Sequence, residues 1–168
     1  MIKTLFALGI SFLFIACGYV PTSKVAQKIF SDKVYVSVEI SPQDPQNSVF
    51  VVDTLREVII NKLGKSPASK EEADESINVR VGNLDFIPII YDENGYVIAY
   101  KAKLNLEFSV VFKDGKEEFI KTQGSYDFAI SPNSVISDTA RLDAMRFASS
   151  EAFDEFVSIV AIKGQRND

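Results

Sequence analysis

YVIAYKAKLNLEFSVVF, residues 96–112, is the stretch that decides the fold. Ile98, Tyr100, Ala102, Leu104, Leu106, Phe108, Val110 and Phe112 take alternate positions, and Lys101, Lys103, Asn105, Glu107 and Ser109 fill the gaps. Successive strand side chains point to opposite faces, so this alternation is a long strand with one buried and one wet face. A turn sequence stands at each end. Asp92-Glu93-Asn94-Gly95 precedes it with the Asn-Gly pair, the strongest short-range hairpin signal, and Lys113-Asp114-Gly115-Lys116 follows it. A strand is therefore expected on either side. The first runs from Ser76 to Tyr91, with Ile77, Val79 and Val81 on one face and Leu84, Phe86 and Ile90 on the other. The switch falls at Gly82 and implies a bulge. The second runs from Glu118 to Ile130, with Tyr126, Phe128 and Ile130 inward and Gly124 placed to bend it, and Ser131-Pro132-Asn133 ends it.

Working outward, Val34, Val36, Val38 and Ile40 alternate with Tyr35, Ser37 and Glu39 as a further strand. After the loop 41–47, Asn47 or Ser48 is placed to cap a helix whose stripe is Val51, Leu55, Val58, Ile59 and Leu63 and whose stop is Gly64. Residues 65–75 are polar and charged and read as a solvated loop. A last helix, capped by Ser137 or Asp138 and closed by Gly164, carries Ala144, Met145, Ala148, Ala152, Phe156 and Val160 on one side, widened by Phe153, Val157 and Ile159. The order is β-α-β-β-β-α. Both helices must bury their stripes, which gives an α+β sandwich of two layers: a four-stranded mixed sheet with two helices on one face. The other face bears Lys101, Lys103, Glu107 and Lys121.

The N-terminus has a separate purpose. Lys3 is followed by an apolar run from Leu5 to Ile15, then Ala16 and Cys17. A basic start, a short apolar stretch and a small residue at the cut make a secretory signal. The run is short of the roughly 20 residues a membrane-spanning helix needs. Leu13-Phe14-Ile15-Ala16-Cys17 resembles the lipobox of bacterial lipoproteins, with Phe14 where that box more often has Leu. Cys17, the one cysteine, is then the lipid-attachment residue rather than half of a disulfide. Lipobox proteins carry several acyl chains, and two or more anchor stably. Position 18 is Gly rather than the Asp that commonly retains such proteins at the inner membrane, so the resemblance points to the outer membrane, facing the periplasm. The expected organisation is a signal at 1–16, a lipidated linker at 17–32, a domain at 33–164 and a tail at 165–168.

Composition removes several classes of function. The net charge is −5, and cleavage takes away Lys3 and no acid. A net acidic chain is a poor nucleic-acid ligand. With no His and no second Cys, the usual zinc and copper ligands, the usual general base and any Ser-His-Asp site are missing. Asp92-Glu93-Asn94 lacks the spacing of a calcium loop. No metal, no other cofactor and no catalytic residue is expected.

The pieces together resemble the LptE-like lipopolysaccharide-assembly lipoproteins of Gram-negative bacteria. The likeness rests on the lipobox with Cys17-Gly18-Tyr19, the element order, the hairpin with Tyr91-Asp92-Glu93-Asn94-Gly95 and Tyr100, and the Ala-rich final helix. The acidic segment 65–75 and the low basic content depart from it. The resemblance implies a non-catalytic plug for a large outer-membrane β-barrel of the same pathway (LptD-like), which aids its assembly and passes lipopolysaccharide to the outer leaflet; some members bind that lipid directly. A periplasm-facing scaffold or binding lipoprotein of another envelope machine is the competing reading, and a carboxylate-dependent cell-wall hydrolase a third.

Two surfaces stand out as candidate sites. At the hairpin tip Ile87, Ile89, Ile90 and Tyr91 face Tyr96 and Val97 across the turn, apolar on both sides. Either a helix covers that end or it meets a barrel wall or acyl chains. Lys101, Lys103 and Lys121 form a basic stripe. Such lysines guard strands against unwanted pairing, or here meet lipid phosphates.

Overall fold

The computed structural model describes residues 28–39, 45–132 and 134–165. Cys17 and the leader lie outside the described residues, as does Ile40. The elements in chain order are β1 (Lys33–Glu39), α1 (Pro45–Asn61), β2 (Ser66–Ala68), β3 (Glu75–Tyr91), β4 (Val97–Val111), β5 (Glu117–Ala129) and α2 (Asp138–Gln165). The sheet order is β2-β1-β3-β4-β5. β3, β4 and β5 form the antiparallel meander that the two turns dictate. β1 lies parallel to both β2 and β3, as a crossover through a helix requires.

The stripes read from the sequence meet in one core. Val51, Leu55, Val58, Ile59 and Leu63 of α1 are buried, as are Ala144, Met145, Ala148, Ala152, Phe153, Phe156, Val157 and Val160 of α2. α1 packs on β1 and β2, α2 packs on β4 and β5, and the two helices touch. Phe108 is the centre of the sheet's contribution, stacked on Phe156 at 4.1 Å and edge-on to Phe153 at 5.6 Å. The packed domain reaches back to Phe30, which is buried and stacks on Phe112 at 5.7 Å.

Several expectations are corrected. The sheet has five strands rather than four, because Ser66–Ala68, inside the stretch expected to be a solvated loop, pairs with Lys33–Tyr35. The chain leaving Gly64 is aimed at β1 by two backbone bonds, Lys65 N–H to Ile59 O at 3.0 Å and Ser66 N–H to Asp32 O at 3.0 Å. α1 starts at Pro45, ahead of the proposed caps Asn47 and Ser48, since proline's fixed φ suits the first helical turn. α2 continues through Gly164 to Gln165. The bulge at Gly82 is present, with Gly82 and Asn83 opposing Asn105 alone. Its effect is the reverse of a change of face. The extra residue restores phase, so Leu84 follows Val81 on the helix side and packs against the core.

Gly124 does more than bend β5. A Cβ built there would lie 1.8 Å from Ala148 O and 2.8 Å from Ala152 N. Its hydrogen lets the backbone of α2 rest directly on the strand, beside Ala148 and Ala152.

Candidate functional site

Both hairpin turns follow one design. The Asp92 N–H bonds to Tyr96 O at 2.8 Å, the Gly95 N–H bonds to Asp92 O at 3.0 Å, and Gly95 has φ 84°. This is a type I turn closed by a left-handed glycine, a three-residue loop. Asp92 Oδ1 accepts the Asn94 and Tyr96 N–H groups at 2.9 and 2.8 Å. The Asp92 carboxylate is thus committed to the turn. Among the described residues no group of three metal-ligating side chains forms, and no helix is long and apolar enough to cross a membrane.

The hairpin end stands clear of the helices. Every residue from Ile87 to Tyr91 is exposed, a run of about 16 Å at strand rise. Ile90 is 51% exposed, Tyr91 57% and Tyr96 48%, while Val97 is half-buried. Ile89 is an extra residue: Pro88 pairs with Tyr100 and Ile90 with Ala99, so the strand slips phase between them. A second slip follows, since Tyr91 pairs with Val97 and leaves Ile98 as the extra residue on β4. The unbroken apolar run from Ile87 to Tyr91 places apolar side chains on both faces. At the base of this end, on the helix side, partly buried rings adjoin one another. Phe128 lies 6.0 Å from Phe86, 6.2 Å from Tyr100 and 6.4 Å from Tyr126, and Tyr126 stacks on Phe147 at 4.5 Å. The Arg141 guanidinium sits 5.1 Å over Phe86. Charges bound the apolar end: Asp92 and Glu93 in the turn, and the Lys101–Asp127 pair at 3.1 Å on the outer face.

The three lysines of the basic stripe are dispersed among acids. Lys101 bonds Asp127, Lys121 bonds Glu107 at 2.5 Å, and Lys103 lies opposite Asp85 in the β3–β4 register. One row crosses four strands with alternating sign, Glu39–Arg80 at 2.8 Å, Arg80–Glu107 at 3.8 Å and Glu107–Lys121. The Lys121 bond holds the Glu107 carboxyl below the usual carboxylate range. This face offers compensated charge rather than a cationic patch. A groove of about 470 Å3 between the helices is lined by Asp53, Glu57, Lys62, Arg146 and Phe147, a mixture of signs that selects no single ligand class.

Sequence reasoning did not find Arg141 over Phe86, nor Glu75. Glu75 is buried and accepts the Ser31 N–H at 2.6 Å, the Ser31 hydroxyl at 3.0 Å and the Lys113 N–H at 3.4 Å. It ties the start of the domain to the β4–β5 turn. These contacts join residues far apart in sequence, and no local pattern marks them.

No curated protein matches the chain. Among solved structures, a Caulobacter crescentus protein described as a lipoprotein has TM-score 0.56 at 12% identity, over 88% of this chain and 97% of that one. Lipoprotein B of Nitrosomonas europaea has TM-score 0.53 at 12% identity, over 81% and 88%. A Xanthomonas campestris protein has TM-score 0.50 at 14% identity, over 83% and 89%. At identities this low, the likeness shows the fold alone. The family model described as lipopolysaccharide-assembly matches residues 35–158, from β1 to deep in α2. The chain belongs to the LptE family, and its work is in lipopolysaccharide assembly.

Proposed function

We propose that this protein is a non-catalytic lipoprotein held in the outer membrane through Cys17, and that its β3–β4 hairpin end seats against the large β-barrel of the lipopolysaccharide-export pathway. The observation that carries the reading is the two-faced apolar end from Ile87 to Val97, projecting past the helices. A patch of exposed Ile and Tyr side chains is a partner surface. Its charged boundaries favour a protein wall over bare lipid, because Asp92 and Glu93 at the extremity would have to enter the membrane first. Lys101 and Lys121 serve the sheet in this reading. A lipid phosphate reaching either would compete with Asp127 or Glu107.

The test is affinity purification of the acylated protein from gently solubilised outer membranes, with partners identified by mass spectrometry. The expected result is a one-to-one complex with one very large β-barrel, lost in the Ile89→Asp variant while that variant's circular dichroism is unchanged. Full recovery of the barrel by folded Ile89→Asp removes the hairpin from the interface. Recovery of a different stoichiometric partner instead supports a scaffold lipoprotein of another envelope machine.

A further inference from the structure

We infer that Glu151 and Glu155 guard the free edge of β5, and that the partner they exclude is a second copy of this chain. Among the described residues β5 ends the sheet, and it is thirteen residues long. The opposite edge, β2, has three residues and contains Pro67, and both features discourage strand addition. β5 has no proline, and an unguarded edge of its length presents a row of N–H and C=O groups as a template for pairing.

Alternate residues of an edge strand turn their backbone groups away from the sheet. Gln123 and Ser125 belong to that outward set, because helix carboxylates take their N–H groups. Glu155 Oε2 accepts the Gln123 N–H at 2.9 Å. Glu151 Oε2 accepts the Ser125 N–H and also its hydroxyl, the latter at 3.1 Å. The acids are four residues apart on one side of α2. Gly124, between the two capped positions, is where the helix backbone rests on the strand.

The sequence of β5 is complementary to itself about that same glycine. In an antiparallel pairing of two copies centred on Gly124, outward residues meet outward residues: Gln123 faces Ser125, Lys121 faces Asp127 and Phe119 faces Ala129. The alternating row Glu39–Arg80–Glu107–Lys121 would then continue in the second copy through its Asp127 and Lys101 without a break in sign. Opposite charges directly across a strand pair are favourable. The edge is thus built to accept itself, and the two carboxylates occupy the N–H groups at its centre.

The test uses the full chain in detergent, with mass measured by light scattering during size exclusion. Glu151→Ala with Glu155→Ala frees two N–H groups per copy, four per symmetric pair, and self-association tightens by about tenfold or more. Glu151→Gln with Glu155→Gln retains side-chain acceptors and stays as monomeric as the parent. Adding Ser125→Pro to the double alanine variant removes a donor from the edge at a place proline tolerates, and returns it to monomer. A folded double alanine variant that does not associate overturns the inference. So does association that persists with Ser125→Pro. If circular dichroism shows the double alanine variant unfolded, the single Glu155→Ala variant decides by the same two outcomes.

Discussion

Gly124→Ala should damage this fold more than any other exchange of one hydrogen for a methyl group on the sheet. The added Cβ would stand 1.8 Å from Ala148 O and 2.8 Å from both Ala148 C and Ala152 N. A carbon meets a carbonyl oxygen comfortably at about 3.3 Å, so the helix would have to retreat by about 1.5 Å. The obstructing atoms are backbone in the middle of a 28-residue helix, and no rotamer relieves them. Retreat opens a gap along Ala148, Ala152, Phe153 and Phe156, all fully buried. A gap of about 1 Å forfeits up to half of each contact's dispersion attraction. Overpacked cores typically lose about 1–3 kcal/mol, and a backbone obstruction belongs at the top of that range, about 3 kcal/mol. With a urea slope of about 1–3 kcal/mol/M, the unfolding midpoint should fall by about 1–3 M with the slope unchanged. Gly82→Ala is the control: its Cβ would meet Asn105 O at 3.0 Å on the exposed side of a bulge, and its loss should be well below that of Gly124→Ala. A Gly124→Ala midpoint equal to the Gly82→Ala midpoint would refute the close seating of α2 on β5.

Glu118 supplies a pH test. Hydrogen bonds from Lys116, at 2.8 Å, and from Lys163 of α2 hold its carboxyl below the usual carboxylate range. A carboxyl with a depressed folded pKa stabilises fully above its unfolded value, about 4.3, and loses that contribution as pH falls through the folded value. Glu118→Gln should therefore lower the urea midpoint at neutral pH, with the gap to the parent closing below about pH 4; a gap independent of pH counts against the pairing. Glu75→Ala strips the buried acceptor from Ser31 and Lys113, and should cost about 2 kcal/mol in urea unfolding together with faster amide exchange at Ser31. Unchanged exchange there would mean that Glu75 does not fasten the domain's start.

The long strands were legible because β4 keeps a two-residue period from Lys101 to Val110, and two Asp-containing turns ending in glycine set the register of its neighbours. The helices were legible because their stripes had to face that sheet. The fate of the lysines was legible too. Once the turn at Asp114-Gly115 closes, Lys101 must lie across from Asp127 and Lys121 across from Glu107. Taken strand by strand, Lys101, Lys103 and Lys121 look like a stripe, and the register sets each of them opposite an acid. β2 was not legible. Ser-Pro-Ala has little strand preference, and only its placement beside β1 makes it one. Glu75, Glu151 and Glu155 look in sequence like any solvated acid. Their partners, Ser31, Ser125 and Gln123, are 44, 26 and 32 residues away.

The pattern of the sheet breaks at the hairpin end. Along the outer face, compensated polar rows run from Ser37–Asn78 through Gln123–Asn105 to Lys101–Asp127. The next row is Ala99 with Ala129 and Ile90, and the alternation that β4 keeps faithfully up to Lys101 stops. On the helix side, burial on β3 fades past Phe86, where α2 no longer covers the strands, yet the residues remain apolar: Pro88, Tyr100, Phe128. A hairpin end meant for water would carry polar residues on its outer face, as the rest of this sheet does. A hairpin end meant for the core would lie under a helix, and the same chain supplies 28 residues of helix nearby. This end does neither, and its unbroken apolar run from Ile87 to Tyr91 gives apolar side chains to both faces. In the proposed function, these features fit an apolar wall of the barrel taking the hairpin between its sides and leaving the charged turn, Asp92-Glu93, free beyond it.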